Sequence, residues 1–131
     1  RQINNLCDSC YVPRELFVTG ELDAHDVGLL KDGRIVFVNT LFNCLATPSE
    51  CHSFTPLWKP PFISKIVKED RCNLNGMAME DCVPRDVTAA SKSDTIDVWR
   101  GRRYDGGIIT DVATARNRDR QVIHAALTAH V

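Results

Sequence analysis

The chain alternates short apolar runs with turn residues, a pattern typical of antiparallel strands joined by tight turns. A run from Ala24 to Leu30 leads into Lys-Asp-Gly at 31–33, which is a strong hairpin signal, and Arg34 to Thr40 is the clearest strand. The Ile-Val-Phe-Val stretch of that strand lacks polar alternation, so we expect it to be buried on both faces. Two further apolar runs, at 41–46 and 53–58, complete a predicted four-stranded meander over 24–58.

A second unit is predicted over 73–112, after a connector at 59–72. An Asn-Gly pair at 75–76 enters a short apolar run, a turn is centred on Asp81 and Cys82, and a third strand is expected at 108–112. Sliding the chain against itself by 49 residues places Asp26 on Asn75, which indicates an internal repeat. Ahead of both units, we expect a ragged terminus at 1–9 and an edge strand at 10–19 that is interrupted by Pro13.

The fold class predicted from this spacing is all-β. Four-stranded units that recur every 40–50 residues or so are typical of a β-propeller, which closes with about four to eight blades. With a repeat of 49, the 131 residues hold fewer than three such units, so we expect a partial β-propeller whose open blade faces could self-associate. A small stand-alone β-sandwich is the alternative.

The amino-acid composition reduces the range of binding partners to be expected. Sixteen Lys and Arg residues balance seventeen Asp and Glu residues, so no strong field attracts nucleic acid or an anionic membrane. No apolar run is long enough to span a bilayer. The Cys-x-x-Cys formed by Cys7 and Cys10 has no second pair at zinc-site spacing, so we expect buried free thiols and a cytoplasmic protein rather than a zinc site or disulfides.

Six sequence blocks stand out along the chain. They are Tyr-Val-Pro-Arg at 11–14, Thr-Gly-Glu-Leu-Asp-Ala-His-Asp at 19–26, Phe-Val-Asn-Thr-Leu-Phe-Asn-Cys-Leu-Ala at 37–46, Trp-Lys-Pro-Pro-Phe-Ile-Ser at 58–64, Glu-Asp-Arg-Cys-Asn-Leu-Asn-Gly-Met-Ala at 69–78 and Asp-Gly-Gly-Ile-Ile at 105–109. In this order they resemble a family of conserved bacterial proteins of unknown function, which look like NHL-type or SMP-30-like β-propellers. The resemblance covers the chain from about Tyr11 to Asp111 and implies a propeller independently of the spacing.

The chain departs from that family pattern at three positions in the second unit. Cys82 stands where a turn glycine is usual, Asn73 where a histidine is common, and Asp86 where an aromatic residue would suit a strand. Because glycine adopts positive φ most easily and Asp is unfavourable inside a strand, we expect the second unit to be weakened.

The tail at 113–131 departs altogether. The family pattern continues toward Ser-Met-Pro-His-Ser-Pro, and residues 123–129 can be encoded by codons that give this motif when read one base later. We therefore interpret the chain as a fragment whose tail is translated out of frame. As it stands, the tail predicts a short helix or disorder, with Val122, Ile123, Ala126 and Leu127 on one side.

The resemblance also implies where a ligand would bind. In propellers the first strand of each blade lines the central channel, so the candidate residues at its mouth are His25, Asp26, Asn39, Asn75 and Arg71. SMP-30-like lactonases hold a divalent cation there, and Asp26 with Asn75 would offer the oxygen ligands that Ca²⁺ or Mg²⁺ prefers. The alternative is that these residues cap strands and tie neighbouring blades together, and that Arg71 pairs with Glu69, Asp70 or another carboxylate.

Two function classes follow. The first is a module that binds a small molecule or a protein through the channel face, and it is favoured because no complete catalytic set is present. The second is a metal-dependent hydrolase of the lactonase type, in which an Asp beside the metal activates water.

Overall fold

The computed structural model describes residues 8–96 with their side chains, together with the backbone of 108–114 and 122–127. In these ranges the chain is all-β, as predicted, and contains no helix. The strands are β1 Ala24–Leu29, β2 Ile35–Asn39, β3 Cys44–Thr47, β4 Thr55–Trp58, β5 Leu74–Glu80, β6 Val83–Ala89, β7 Ile108–Thr114 and β8 Val122–Leu127. Nothing in the described part of the chain is a helix long and apolar enough to cross a membrane.

Strands β1 to β4 form one antiparallel sheet in chain order, which we call sheet A. The hairpin between β1 and β2 turns at Gly33, whose φ of +86° is accessible because glycine lacks a Cβ. In register, Phe37 of β2 lies opposite Val27 on one side and Ala46 on the other. The predicted antiparallel meander is confirmed, and its assignment to a propeller blade stays a prediction.

Strands β5 and β6 form a separate two-stranded antiparallel sheet, sheet B. Their tight turn places Asp81 and Cys82 at φ of +51° and +60°. A two-residue turn of this kind needs positive φ at both central residues, which costs a residue with a Cβ about 1–2 kcal/mol. The backbone conformation of Cys82 is therefore the physical reason for the expected loss of stability at this turn. The predicted second four-stranded unit is wrong within the described residues, because β6 pairs there with β5 alone.

The third strand predicted at 108–112 is present as β7, but it pairs with β8 and not with sheet B. Strand β8 corrects the short helix expected in the tail. Val122 and Ile123 are β-branched residues that favour strands, and pairing with β7 satisfies the backbone along this stretch. The rest of the tail, at 115–121 and 128–131, lies outside the described residues.

The edge strand predicted at 10–19 is also corrected, since the structure assigns no strand to these residues. Tyr11, Leu16 and Val18 are almost fully exposed, so no sheet packs on this segment. Its β-forming composition was a weak guide because strand formation depends on a pairing and packing partner. Most of the ragged terminus predicted at 1–9 lies outside the described residues, and the domain boundaries otherwise stay predictions.

The main hydrophobic core lies between sheets A and B and contains Val36, Val38, Leu45, Ile63, Cys72, Leu74 and Met77. A second, smaller core covers the opposite face of sheet A and contains Leu22, Phe37, Cys44 and Ala46. Successive residues of β2 point to opposite faces, so Val36 and Val38 enter the first core and Phe37 the second. Burial of β2 on both faces confirms the interpretation of its unbroken apolar run, except at the half-exposed Ile35.

Strands β1 and β2 of sheet A and the two strands of sheet B repeat the same register, and away from the turn each residue number in sheet B exceeds its counterpart by 50. The sheet A pairs Ala24–Asn39, Val27–Phe37 and Gly28–Val36 recur in sheet B as Leu74–Ala89, Met77–Val87 and Ala78–Asp86. Both sheets also shift register at the same point of their first strand, between Ala24 and Val27 and between Leu74 and Met77. Such shifts mark β-bulges, which are specific features of a fold. The repeat is therefore present in the backbone.

The residues that precede each first strand repeat as well. Asp23 and its counterpart Asn73 both have left-handed backbones, with φ of +52° and +48°. The amide of Leu41 donates to the carbonyl of Leu22 at 3.2 Å, and the amide of Ser91 donates to the carbonyl of Cys72 at the same distance. In the strands His25 therefore corresponds to Asn75, which corrects the equivalence of Asp26 with Asn75 by one residue.

Candidate functional site

Three strand ends meet at one end of the structure: the start of β1, the end of β2 and the start of β5. The hydroxyl of Thr40, directly after β2, donates to the carbonyl of Leu74, and the carboxylate of Asp26 accepts from the amide of Met77. These two bonds join sheets A and B here. We define the strand-end cluster as His25, Asp26, Thr40, Asn73 and Asn75.

The protonation of the His25 ring follows from its neighbours. Its Nδ1 lies 3.0 Å from the carbonyl oxygen of Asp23 and 2.8 Å from Oγ1 of Thr40. A carbonyl only accepts, and the Thr40 hydroxyl already donates its proton to Leu74, so Nδ1 must carry a proton. In the neutral ring, Nε2 is then an acceptor. No described residue donates to Nε2, and 34% of the side chain is exposed, so a ligand can reach it.

Both carboxylate oxygens of Asp26 accept hydrogen bonds from the backbone. Oδ1 accepts from the amide of Val27 at 2.8 Å, and Oδ2 accepts from the amide of Met77 at 2.9 Å. Asp26 therefore links β1 to β5 across 51 residues of chain. This is the structural role that the sequence left open beside metal binding.

A chain of side-chain hydrogen bonds fixes the orientation of Asn75. The buried carboxylate of Asp70 accepts from the amide nitrogen Nδ2 of Asn73 at 3.0 Å, which leaves Oδ1 of Asn73 as an acceptor. Nδ2 of Asn75 donates to that oxygen at 3.3 Å. The side-chain oxygen of Asn75 has no donor among the described residues. Asn75 thus offers an acceptor at the position that corresponds to His25.

Asn39 lies at the same end of sheet A, but it serves the turn after β2. Its side chain is fully buried, and Oδ1 accepts from the amide of Phe42 at 3.2 Å. Its Nδ2 finds no acceptor among the described residues. Asn39 therefore lies beside the strand-end cluster, and none of the side-chain hydrogen bonds seen in the described ranges joins it to a member of the cluster.

Arg71 is bound by carboxylates outside the cluster. Its guanidinium contacts Glu69 at 2.8 Å and Asp94 at 2.8 Å, so the ion pair with Glu69 that the sequence offered is present, together with a second partner. Hydrogen bonds from Ser64 and then from Arg71 hold the pKa of Asp94 at about 2, and the bonds to Asp94 and Glu69 raise the pKa of Arg71. With two carboxylates bound, Arg71 is a structural residue of the connector.

Two residues that were not predicted from the sequence organise this end of the molecule. Thr40 bridges His25 to Leu74, and Asn43 binds the connector through its whole amide group. Oδ1 of Asn43 accepts from the amides of Arg71 and Cys72 at 2.9 and 3.1 Å, and its Nδ2 donates to the carbonyl of Glu69 at 2.6 Å. Asn43 has a φ of +55°, a conformation that Asn tolerates. An Asn between two predicted strands was therefore the sequence signal that could have identified this residue.

The divalent-cation site that the resemblance implied at Asp26 and Asn75 stays a prediction. No group of three or more His, Cys, Asp or Glu side chains is placed to hold a metal in this part of the chain. Asp26 uses both oxygens for backbone amides, as described above. The thiols of Cys44 and Cys72 are free and buried, as expected, and burial raises the pKa of each to about 12. They are therefore protonated at neutral pH, whereas Cys10, Cys51 and Cys82 are free and exposed.

Comparison with family models identifies the family. Residues 1–125 match the model described as Domain of unknown function (DUF4915). The chain belongs to this family. The DUF4915 match includes every strand of sheets A and B and extends past Asp111 into the tail. No curated protein matches the DUF4915 chain, and no solved structure matches it.

Proposed function

We propose that the strand-end cluster binds a small, hydroxyl-rich molecule, and that this DUF4915 chain is a binding module. The observation that carries the proposal is the pair of acceptors at corresponding positions of the two sheets, Nε2 of His25 and Oδ1 of Asn75. Each acceptor is oriented by a hydrogen bond on the other side of its own group. Such preorganised acceptors suit a ligand that donates hydrogen bonds from adjacent hydroxyls.

The proposal includes the architecture. We propose that sheet A and sheet B belong to successive blades of a β-propeller of the NHL or SMP-30-like kind from a bacterium, with the cluster at the channel end of their first strands. The common register, the matching bulges and the matching left-handed residues Asp23 and Asn73 support a repeated blade.

Nuclear magnetic resonance of the histidine rings tests the binding role, with xylitol as the hydroxyl-rich probe. We expect xylitol to shift the Nε2 resonance of His25 and the side-chain amide of Asn75 in a saturable way. Sodium acetate, which cannot donate hydrogen bonds, should shift neither. The variant His25→Ala should lose the response of Asn75, and His52→Ala, which changes an exposed loop histidine, should keep it. Resonances that stay unchanged at saturating xylitol would refute the proposal.

Metal-dependent lactone hydrolysis remains the alternative that the resemblance implies. Among the described residues, no three His, Cys, Asp or Glu side chains are grouped to hold a metal, so we place the binding role first. The same samples distinguish the two classes: addition of CaCl₂ with γ-butyrolactone should leave the lactone intact under the binding proposal. Turnover that His25→Ala leaves unchanged would point to chemistry elsewhere in the protein.

A further inference from the structure

An apolar cavity of about 350 Å³ lies between sheets A and B, near their hairpin turns. Val36, Leu45 and Trp58 line it from sheet A, and Arg85 and Val87 line it from sheet B. Small-molecule sites are concave and mostly apolar, with a few polar groups, and the smallest have volumes of about 300 Å³. We call this space the inter-sheet cavity, and it has the size and the lining of such a site.

The inner wall of the inter-sheet cavity belongs to the main core. Val36 and Leu45 are buried core residues, and Val87 packs against that core from β6. Strand pairing holds the wall in place, since Val36 lies opposite Gly28 and Leu45 lies opposite Val38. A wall built on paired strands is ordered before a ligand arrives, so little conformational entropy is lost when one binds.

Trp58 forms the open side of the inter-sheet cavity. It lies opposite Leu45 in the register of β3 and β4, and it is 42% exposed. Strand β4 is an edge of sheet A within the described residues, so Trp58 has no neighbouring strand of that sheet on its outer side. Aromatic side chains have a large apolar area and form stacked or edge-to-face contacts with other rings. A ligand that carries an aromatic ring would therefore cover Trp58 well.

Arg85 is the single charged residue among the described residues that line the inter-sheet cavity. Its Nε lies 3.3 Å from Oε2 of Glu80, and its side chain is 46% exposed. The guanidinium has further N–H donors that this contact does not use. Arg71 shows that one guanidinium of this protein holds two carboxylates at once, those of Glu69 and Asp94. Arg85 is therefore equipped to bind a second carboxylate beside Glu80.

We propose that the inter-sheet cavity binds a small aromatic carboxylate. The ring contacts Trp58 and Leu45, and the carboxylate accepts hydrogen bonds from Arg85, so apolar burial and a charge-assisted bond act together. The cavity shares no residue with the strand-end cluster, which lies at the starts of β1 and β5. The proposal therefore does not depend on the binding of a hydroxyl-rich molecule.

Nuclear magnetic resonance of the indole N–H of Trp58 tests the proposal, with 4-phenylbutyrate as the ligand. The variant Trp58→Phe identifies this resonance. We expect 4-phenylbutyrate to shift it in a saturable way. The neutral 4-phenylbutyramide has nearly the same shape but no charge, so it should bind about tenfold more weakly.

Two arginine variants show whether Arg85 selects the acid. Arg85→Gln should bind 4-phenylbutyrate as weakly as it binds the amide, because the charged partner is gone. Arg14→Gln removes the same charge from an exposed residue ahead of sheet A, and it should keep the preference of about tenfold. Circular dichroism shows whether each variant is folded, which the exposure of both arginines favours.

Three outcomes overturn the proposal. The first is a Trp58 resonance that stays unchanged up to the solubility limit of 4-phenylbutyrate, which would assign the cavity to packing alone. The second is equal binding of the acid and the amide by the unchanged chain. The third is a preference for the acid that Arg85→Gln keeps or Arg14→Gln loses, which would show that Arg85 does not select the carboxylate.

Discussion

The variant Asn43→Ala should destabilise the protein more than any other single change in the turn between β2 and β3. Asn43 is fully buried, and its loss leaves the amides of Arg71 and Cys72 without their acceptor. Each buried amide without a partner costs about 1–3 kcal/mol. Alanine at a φ of +55° adds about 1–2 kcal/mol. We expect a total loss of about 3–8 kcal/mol, a large part of the stability of a typical domain.

Urea unfolding followed by circular dichroism measures this loss, and three comparison variants divide it. Asn43→Gly restores the backbone freedom but not the acceptor, so it should recover only the smaller part. Asn43→Asp keeps the acceptor for both amides but loses the donor to the Glu69 carbonyl and buries a charge, so it should also be less stable than the unchanged chain. Asn39→Ala, in the same turn, removes one bond to the amide of Phe42 and should cost about 1 kcal/mol. The reasoning fails if Asn43→Ala is no less stable than Asn39→Ala.

Two further perturbations test the connector and the contact between sheets A and B. The pKa of Asp94 is held at about 2, below its ordinary value of 3.8. The stability that its bonds to Ser64 and Arg71 provide should therefore be present at neutral pH and be lost as the pH falls from about 4 to about 2. Asp94→Asn should remove this part of the acid transition, and an unchanged acid profile would contradict the assignment. Gly28→Val should lower the free energy of unfolding by about 1–3 kcal/mol because its side chain crowds Met79. Gly28→Ala should lower it by less, because the methionine side chain can move away from one methyl group. If Gly28→Val were as stable as the unchanged chain, the gap between the sheets would be wider than the structure shows.

The sequence was informative wherever local turn chemistry decides the structure. Lys-Asp-Gly at 31–33 located the β1–β2 hairpin, and Asp81 with Cys82 located the turn of sheet B. The repeat was found at an offset of 49, which holds at the turns, where Gly33 and Cys82 both have positive φ. Along the strands the offset is 50. The turn of sheet B is shorter than that of sheet A, and a bulge beside Met79 compensates for this difference in length.

The sequence could not supply contacts that depend on how the sheets are placed. His25 and Asn75 were named from their positions near strand starts, but the proton on Nδ1 of His25 follows only from the contact with Thr40. Arg71 was paired with Glu69 correctly because the two are neighbours, whereas Asp94 lies 23 residues away and carries no local signal. The prediction of a metal at Asp26 and Asn75 rested on the chemistry of their side chains. The sequence does not show that backbone amides already donate hydrogen bonds to Asp26.

The hydrogen bonds that join sheet A and its flanking turn to the following segment have a consequence for the order of folding. Those of Thr40 to Leu74, Asp26 to Met77 and Asn43 to Arg71 span 34, 51 and 28 residues. The strand pairs within each sheet are hairpins between chain neighbours, which close at a much smaller cost in chain entropy. We therefore expect hairpins to form first and the sheets to dock last. In hydrogen exchange, the amide of Met77 should become accessible when the sheets separate, before the hairpin amides of β2.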